Sequence, residues 1–321
     1  MSPELAWDYS DQDLRDFEKE TGLPVDFTLV SAWTRAAESC GYAKGVRVIA
    51  RRDGRPVAVL QGTLRSQFRL RKFLCGSTSG AGIAWQPNEE DAALECLQTV
   101  LTKVRPQVVQ VFSPTPLDVD GLAWSASFSF QILLDRPFET ILASMDKRAR
   151  HAARRAERLG VTVEEVADPN HMDEAYDVVE AAARERDFAV PPREYSLALH
   201  REFEGVGAQR CFVARVGNRV VSAVSVLGYG TKAAWWKGGS LPEGYRTSAG
   251  NALQVAAIEW ARGRGFRFYD LGGTDPADST YAGIHRFKAS FGGLRTETST
   301  GTRMSAFARR ATALRNAFRP R

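Results

Sequence analysis

Long apolar runs and closely spaced cysteines are both missing from this sequence of 321 residues. No run approaches the roughly 18–20 apolar residues that span a bilayer, so we expect no integral membrane segment. The four cysteines form no Cys-x-x-Cys pair, which argues against a disulfide framework or a zinc site. We expect reduced, mostly buried thiols, with a nucleophilic cysteine as the alternative. The same spacing leads us to expect no metal site. Since the N-terminus also lacks the pattern of a secretory signal, we expect a cytoplasmic protein.

The overall composition is that of a globular protein. Hydrophobic residues make up 44% and charged residues 25%, which excludes a disordered or fibrous chain. The length suits one large or two medium domains. The 43 basic and 38 acidic residues give a net charge of +5, which permits a nucleic-acid or phosphate partner without requiring one.

The two halves of the chain contain similar stretches. Ile49–Val57 resembles Val213–Val221 at an offset of 164 residues, and each stretch is typical of a strand, a tight turn and a second strand. The pair Asp53-Gly54 is itself a hairpin signal. The likeness predicts two copies of one α/β unit, over 1–137 and 138–321; the alternative is that unrelated hairpins look alike.

Apolar periodicity predicts the main elements around these hairpins. We expect helices over 29–40, 89–104, 138–145, 146–159 and 171–186, strands over 108–112, 128–134 and 266–271, and a long turn over 239–246. The turn leads into Arg246–Ala252 at the start of another helix. Free N–H groups there suit an anion, although an ordinary helix N-terminus explains the same pattern.

Basic residues are concentrated in one predicted helix. Residues 146–160 contain six basic and two acidic side chains, a net charge of +4. Such a helix is either a solvated face or a surface for phosphate or RNA. The candidate nucleic-acid contacts are Lys147, Arg148, Arg150, Arg154 and Arg155.

Two glycine-rich stretches near residue 280 form the most specific motif. Tyr269-Asp-Leu-Gly-Gly273 is followed by Tyr281 and then by Gly283-Ile-His-Arg-Phe-Lys-Ala-Ser-Phe-Gly-Gly293. Three apolar residues at helical spacing, Ile284, Phe287 and Phe291, would anchor a short helix and aim Lys288 into a cleft. The alternative is a surface lysine. Asp270 lies beside aromatic residues on a strand, where a carboxylate needs a partner.

This motif resembles the C-terminal signature of the Fem family, aminoacyl-tRNA-dependent peptidyltransferases related to the GNAT fold. Residues 147–161 resemble the arginine-rich helix of that family, and Trp235-Trp-Lys-Gly-Gly-Ser240 fits the same pattern. The resemblance covers about 138–293. It implies an α/β (α+β) fold of two tandem GNAT-like domains, each a mixed, mostly antiparallel sheet flanked by helices.

The first half departs from the family at the acceptor side. Peptidoglycan-acting members carry an N-terminal Lys and an Arg-Gly-Pro turn, whereas here the corresponding stretches are Trp33–Cys40 without the Lys and Gly76–Gly82 without the Arg. A small peptide or a natural-product amine therefore fits better as acceptor than a cell-wall precursor.

The resemblance implies an aminoacyl-tRNA-dependent transferase that forms an amide bond, with the charged tRNA as co-substrate and no other cofactor. Lys288 would stabilise the oxyanion, and Asp270 or His285 could take the proton of the amine, unless substrate or water does. The candidate substrate contacts are Arg193, Trp236, Lys237, Tyr245, Arg246 and Phe287. One alternative is a GNAT-type N-acyltransferase that uses acyl-CoA. Another is a non-catalytic module that binds RNA or a membrane surface.

The C-terminal tail is also basic. Thr302–Arg321 contains six arginines and no acid, and its apolar residues recur every three or four positions, which predicts an amphipathic helix. The helix could dock on the protein, contact tRNA phosphates, or lie peripherally on an anionic membrane.

Overall fold

The computed structural model describes residues 3–67, 70–166, 168, 172–186, 188, 190–273 and 282–310. The chain divides into two compact units. The first contains the residues up to Ser127 and those from Glu297 onward, and the second is Phe128–Thr296. This division lies about ten residues before the expected boundary at 137/138. Most of the last strand, from Glu297 onward, belongs to the first unit because its residues 299–304 pair with residues 108–113.

The described strands and helices occur in short runs of one kind along the chain. In order, they are β1 (Glu4–Trp7), α1 (Asp11–Thr21), α2 (Ser31–Ser39), β2 (Lys44–Arg52), β3 (Arg55–Gln67), β4 (Leu70–Ser77), β5 (Gly80–Ala81), β6 (Ile83–Trp85), α3 (Glu90–Val104), β7 (Val108–Ser113), β8 (Ala123–Leu133), α4 (Phe138–Ser144), α5 (Lys147–Arg158), β9 (Val161–Val166), α6 (Asp173–Glu185), α7 (Arg193–Glu204), β10 (Ala208–Val216), β11 (Arg219–Tyr229), β12 (Lys232–Ser240), α8 (Pro242–Thr247), α9 (Ala249–Gly263), β13 (Phe268–Asp270), α10 (Ala282–Ala289) and β14 (Leu294–Met304).

The first unit is built on a mostly antiparallel sheet. Its strands lie in the order β1-β2-β3-β4-β7-β14, and only β4 and β7 run parallel. Helix α3 packs on this sheet because one of its faces, which includes Cys96, Leu97 and Val100, is apolar and fully buried.

The second unit repeats this arrangement. Its strands lie in the order β8-β13-β12-β11-β10-β9, again with one parallel pair, β12 and β13. Helix α9 buries Leu253, Ala257 and Ile258 in one core, while α6 contributes Val178 and Val179 to a separate buried cluster. Two cavities of this unit lie around β12 and these helices.

The internal duplication is visible in the details of the two hairpins. β2 pairs with β3, and β10 pairs with β11, and each pair has a bulge. The bulges fall between Ala50 and Arg51 and between Ala214 and Arg215, which are again 164 residues apart. A helix then separates the strands of each parallel pair, α3 in one unit and α9 in the other. The prediction of two copies of one unit is confirmed.

Most sequence-predicted elements are present, and one is wrong. The helices predicted at 29–40, 89–104 and 146–159 are α2, α3 and α5, and the tight turn is at Asp53-Gly54 with positive φ angles of 51° and 77°. The long turn predicted at 239–246 instead contains α8, because Pro242 is preorganised for the first turn of a helix.

Parts of two predictions lie outside the described residues. Residues 306–310 of the tail are helical, but 311–321, with Arg315, Arg319 and Arg321, lie outside the described range, as does Tyr281 of the glycine-rich motif.

Three of the four thiols, Cys75, Cys96 and Cys211, are buried, as expected. Within the described residues, no helix is long and apolar enough to cross a bilayer.

Candidate active site

A cleft opens in the second unit where two strands separate. β12 and β13 pair over three residues, from Lys232 with Phe268 to Ala234 with Asp270. Further along, β12 continues to Ser240 with β11 as its partner, while the chain leaves β13 through Leu271–Gly273. The two chain segments are thus paired at one end and separate beyond it. Backbone groups on this edge of β12 face the gap, where a ligand can meet them.

A cavity of 380 Å³ lies beside the diverging half of β12. It is enclosed by β11, β12, the N-terminus of α9 and residues of α6, α8 and α10. Its apolar walls include Trp235, Leu253, Ile284 and Phe287, and its polar groups include Ser222, Ser240, Ser248, Asn251 and Gln254. An apolar cavity with a few polar groups is typical of a small-molecule site.

Two consecutive glycines set the shape of this cavity. A Cβ on Gly238 would lie 2.7 Å from the indole Nε1 of Trp235, and a Cβ on Gly239 would lie 2.8 Å from the Cβ of Ala182 on α6. Both distances are too short for any larger residue. The glycines in Trp-Trp-Lys-Gly-Gly-Ser therefore allow Trp235 and α6 to approach the strand closely.

Lys288 lies where the two strands diverge. Its side chain is buried, and its Nζ donates hydrogen bonds to the carbonyls of Gly272 at 2.9 Å and Gly273 at 3.1 Å. The Nζ is also 5.2 Å from the ring centre of Trp235, which lines the cavity. Burial lowers the pKa of Lys288 to about 8, with a further lowering by the charge of Lys237 and an opposing effect of Asp270. Lys288 is thus a buried lysine beside the cleft rather than a surface lysine, and its catalytic role stays a prediction.

Asp270 is the centre of a buried polar cluster. Its Oδ2 accepts hydrogen bonds from Ser129 at 3.2 Å and Gln131 at 3.1 Å and forms an ion pair of 3.1 Å with Lys232. Its Oδ1 accepts the backbone N–H of Gly272 at 2.7 Å. The carboxylate has the partners that the sequence predicted it would need. Because both oxygens accept hydrogen bonds, this geometry suits a structural anion better than a proton acceptor.

His285 has a different environment from Asp270. Its ring packs against Phe128 and Phe130, with centroid distances of 5.0 and 5.3 Å. The three predicted catalytic residues therefore divide into two groups. Lys288 and Asp270 both bind Gly272. His285 lies on the same short helix as Lys288, but its ring packs against the phenylalanines of β8 instead.

Comparison with known proteins identifies this architecture. Residues 143–289 match the family model of the acetyltransferase (GNAT) domain. The crystal structure of FemX superposes with a TM-score of 0.67 at 15% identity, covering 92% of this chain and 96% of that one. The chain has a Fem-like GNAT fold. No curated protein sequence matches it significantly.

Two further structures share this Fem-like GNAT fold. A tandem GNAT protein from the clavulanic acid biosynthesis pathway superposes with a TM-score of 0.57 at 13% identity, covering 93% of this chain and 98% of that one. L-PGS from Bacillus licheniformis superposes with a TM-score of 0.55 at 13% identity, covering 96% and 97%. The predicted tandem GNAT-like fold is confirmed, and the domain match with these neighbours supports a GNAT-fold acyltransferase.

The predicted substrate contacts are distributed over several places in this fold. Tyr245 and Phe287 line the cavity, and the guanidinium of Arg186 stacks over the ring of Tyr245 at 4.8 Å. Trp236 and Lys237 instead line a smaller cavity between α6 and α7. The first group is therefore placed to contact a ligand in the cleft, whereas the second group lines the smaller cavity.

The two remaining predicted contacts, both arginines, lie outside the cavity lining. Arg193 forms ion pairs with Asp173 and Asp177 and stacks over Tyr176 at 4.7 Å, so its guanidinium fastens α7 to α6. Arg246 has an exposed side chain at the end of α8. These ion pairs explain the position of the Arg193 guanidinium without a bound ligand.

Several polar groups of the cavity were not singled out from the sequence. The hydroxyls of Ser222 and Ser240 lie 2.6 Å apart across β11 and β12, and the amide of Gln254 accepts the hydroxyl of Tyr269 at 3.0 Å. A serine on a strand or a glutamine in a helix carries no local signal. Only the strand pairing brings these residues together.

The basic helix α5 borders the same region. Its buried alanines, including Ala149 and Ala156, face the core, while the side chains of Lys147, Arg148 and Arg154, here called the α5 cations, are exposed. Arg150 donates to the carbonyl of Ala143 at 2.7 Å. Arg155 donates to the carbonyl of Arg246 at 2.7 Å and to the hydroxyl of Ser248, a cavity residue, at 3.2 Å.

Proposed function

We propose that the protein transfers an amino acid from aminoacyl-tRNA to the amine of a small peptide or natural-product acceptor. The observation that carries this proposal is the continuity between α5 and the cavity. Arg155 contacts Ser248 at the cavity rim, and from there the twelve residues of α5 extend over about 18 Å with six basic side chains and one acidic side chain. A surface of this length suits a polyanion that is longer than one pyrophosphate.

The chemistry requires little from the protein beyond positioning and charge. The ester of an aminoacyl-tRNA is already activated, so no serine or cysteine nucleophile is required. The neutral acceptor amine attacks the ester carbonyl; a C–N bond forms, the C–O bond to the ribose breaks, and the proton of the amine ends on the ribose oxygen. Negative charge develops on the carbonyl oxygen and then on the leaving oxygen, which a fixed cation stabilises.

Lys288 is the cation that we assign to this role. Hydrogen bonds to the carbonyls of Gly272 and Gly273 hold its Nζ where β12 and β13 separate. The Nζ there lies next to Trp235, which forms part of the cavity wall. Asp270 has a positioning role, because it accepts a hydrogen bond from the N–H of Gly272 and so holds the segment to which Lys288 binds. We assign the proton transfer to substrate or water rather than to Asp270 or His285, since the first accepts four donors and the second packs between phenylalanines.

The acyl-CoA alternative has one observation in its favour. Gly250 and Asn251, in the first turn of α9, line the cavity, and N–H groups at a helix N-terminus suit a pyrophosphate. Donor assays separate the two readings. The protein is incubated with a mixture of charged tRNAs and amine acceptors, with and without RNase, and in parallel with acetyl-CoA, and consumption of each donor is followed. We expect RNase-sensitive loss of aminoacyl ester; consumption of acetyl-CoA alone would establish the alternative.

A further inference from the structure

Tyr245 is an exposed aromatic residue at the mouth of the 380 Å³ cavity. It belongs to the cavity lining and is still 49% exposed, so it lies where the cavity meets solvent. The guanidinium of Arg186, at the end of α6, lies 4.8 Å from the centre of its ring. The mouth is therefore flanked by a half-exposed aromatic ring and by a planar cation that stacks on it.

The backbone around Tyr245 holds this ring in place. Tyr245 belongs to α8, which packs so closely on β11 that a Cβ on Gly244 would collide with the carbonyl oxygen of Val221. The carbonyl of Tyr245 accepts the N–H of Ser248 at 3.2 Å. A ring that is fixed before a ligand arrives loses less conformational entropy when the ligand stacks on it.

Tyr245 also lies next to the basic helix α5. Arg155 of α5 donates to the carbonyl of Arg246, the residue after Tyr245, at 2.7 Å and to the hydroxyl of Ser248 at 3.2 Å. A row of phosphates that follows α5 to the cavity therefore ends beside the ring of Tyr245. Basic side chains that bind phosphates and aromatic rings that stack on bases are the two components of a site for single-stranded nucleic acid.

We propose that Tyr245, with Arg186, stacks on the nucleobase at the 3′ end of the donor RNA. The inference rests on the proposed function, in which the aminoacyl ester is carried on the ribose of the last nucleotide. The cavity has more than twice the volume of about 150 Å³ that binds benzene, so an aminoacyl group fits inside it. The ribose then lies at the mouth and the base outside it, beside Tyr245. Proteins recognise the unpaired bases of RNA ends by stacking on aromatic rings and guanidinium planes.

The base at the 3′ end of tRNA is adenine, and coenzyme A contains the same base. Stacking alone does not distinguish these two sources. RNA is favoured because the basic residues of α5 continue away from the ring over twelve residues, which is longer than one pyrophosphate requires.

The test uses the full chain and an RNA hairpin without an amino acid, whose single-stranded 3′ end carries 2-aminopurine in place of the last adenine. Stacking quenches the fluorescence of this base. We expect saturable quenching that Tyr245→Leu removes, with a loss of affinity of at least about fivefold, the lower limit for one stacked base. Tyr245→Phe keeps the ring and should retain both. The matched control is Trp7→Leu, because Trp7 is 50% exposed and lies in the other unit, and it should change neither.

Two further readouts separate stacking from a general loss of binding. The slope of log affinity against log salt should be the same in Tyr245→Leu as in the natural protein, because the substitution removes no phosphate contact. When 2-aminopurine is placed in the stem of the hairpin, its fluorescence should not depend on Tyr245. Circular dichroism verifies that each variant is folded.

Several outcomes would overturn the proposal. They are absence of quenching at the 3′ end in the natural protein, unchanged quenching in a folded Tyr245→Leu variant, and an equal effect of Trp7→Leu. Coenzyme A is titrated in parallel, and loss of its binding in Tyr245→Leu with RNA quenching intact would assign the stack to the adenine of coenzyme A. Since the hairpin carries no amino acid, the donor assay decides the proposed function independently of this result.

Discussion

The role of Lys288 can be tested by removing its charge while keeping its length. We expect Lys288→Met to lower turnover by about 10²–10³-fold, because one preorganised donor at an oxyanion is worth roughly 2.7–4 kcal/mol in the transition state. Two effects on stability oppose each other. The carbonyls of Gly272 and Gly273 lose a donor, at a cost of about 1–3 kcal/mol each if they remain unpaired, but a cation that burial disfavours is removed. We therefore expect a small change in thermal stability.

The assay is single-turnover decay of the donor that the donor screen identifies, with acceptor in excess. The pH dependence supplies an independent readout. Since the pKa of Lys288 is lowered to about 8, the cation is present below that pH and is lost above it, so the rate should fall as pH rises through 8. In Lys288→Arg, whose side chain stays charged, this alkaline decline should disappear even if the rate is lower. Turnover at the natural rate in a folded Lys288→Met protein would refute the assignment.

Three further predictions concern binding and stability. Replacing the α5 cations with Gln should weaken tRNA binding and reduce the slope of log affinity against log salt by about 2, as measured by filter binding; an unchanged slope contradicts the tRNA surface. Neither ring nitrogen of buried His200 has a well-formed hydrogen bond among the described residues, and burial lowers its pKa from 6.5 to about 4 against an opposing effect of nearby Gln209. Stability should therefore be complete above pH 6.5 and fall by up to about 3 kcal/mol towards pH 4, and urea unfolding should show a weaker pH dependence for His200→Gln but not for exposed His151→Gln. A Cβ on Gly292 would lie 2.2 Å from the carbonyl oxygen of Ser144, so Gly292→Ala should lower Tm more than Gly265→Ala, which has a similar positive φ but open space.

Local sequence patterns predicted the repeated unit well. The hairpin signal at Asp53-Gly54 depends on two residues that accept positive φ, and the structure has both. The offset between the copies even locates equivalent bulges, at Ala50/Arg51 and Ala214/Arg215. The hairpin signal is encoded within a few neighbouring residues, which is why the sequence alone was sufficient to predict it, whereas the bulges were found only in the structure.

The partners of the site residues could not be predicted in the same way. Asp270 binds Ser129 and Gln131, which lie about 140 residues earlier in the chain and approach it only because β8 pairs with β13. Arg193 carried the chemistry of a phosphate binder, yet two aspartates of the preceding helix pair with it. Residue type indicates what a side chain can bind, whereas tertiary structure decides what it does bind.

The position of Lys288 combines both kinds of information. Helical spacing places it on a different face from Phe287 and Phe291, whose rings lie 5.0 Å apart, and this much is local. The acceptors of its Nζ are carbonyls of a segment that leaves β13, and that segment is held by Asp270 through the N–H of Gly272. Asp270 is in turn fixed by residues of β8 and β12. The lysine is therefore positioned by the same strands whose divergence creates the cavity, so cation and cavity keep a fixed relation, as an oxyanion site requires.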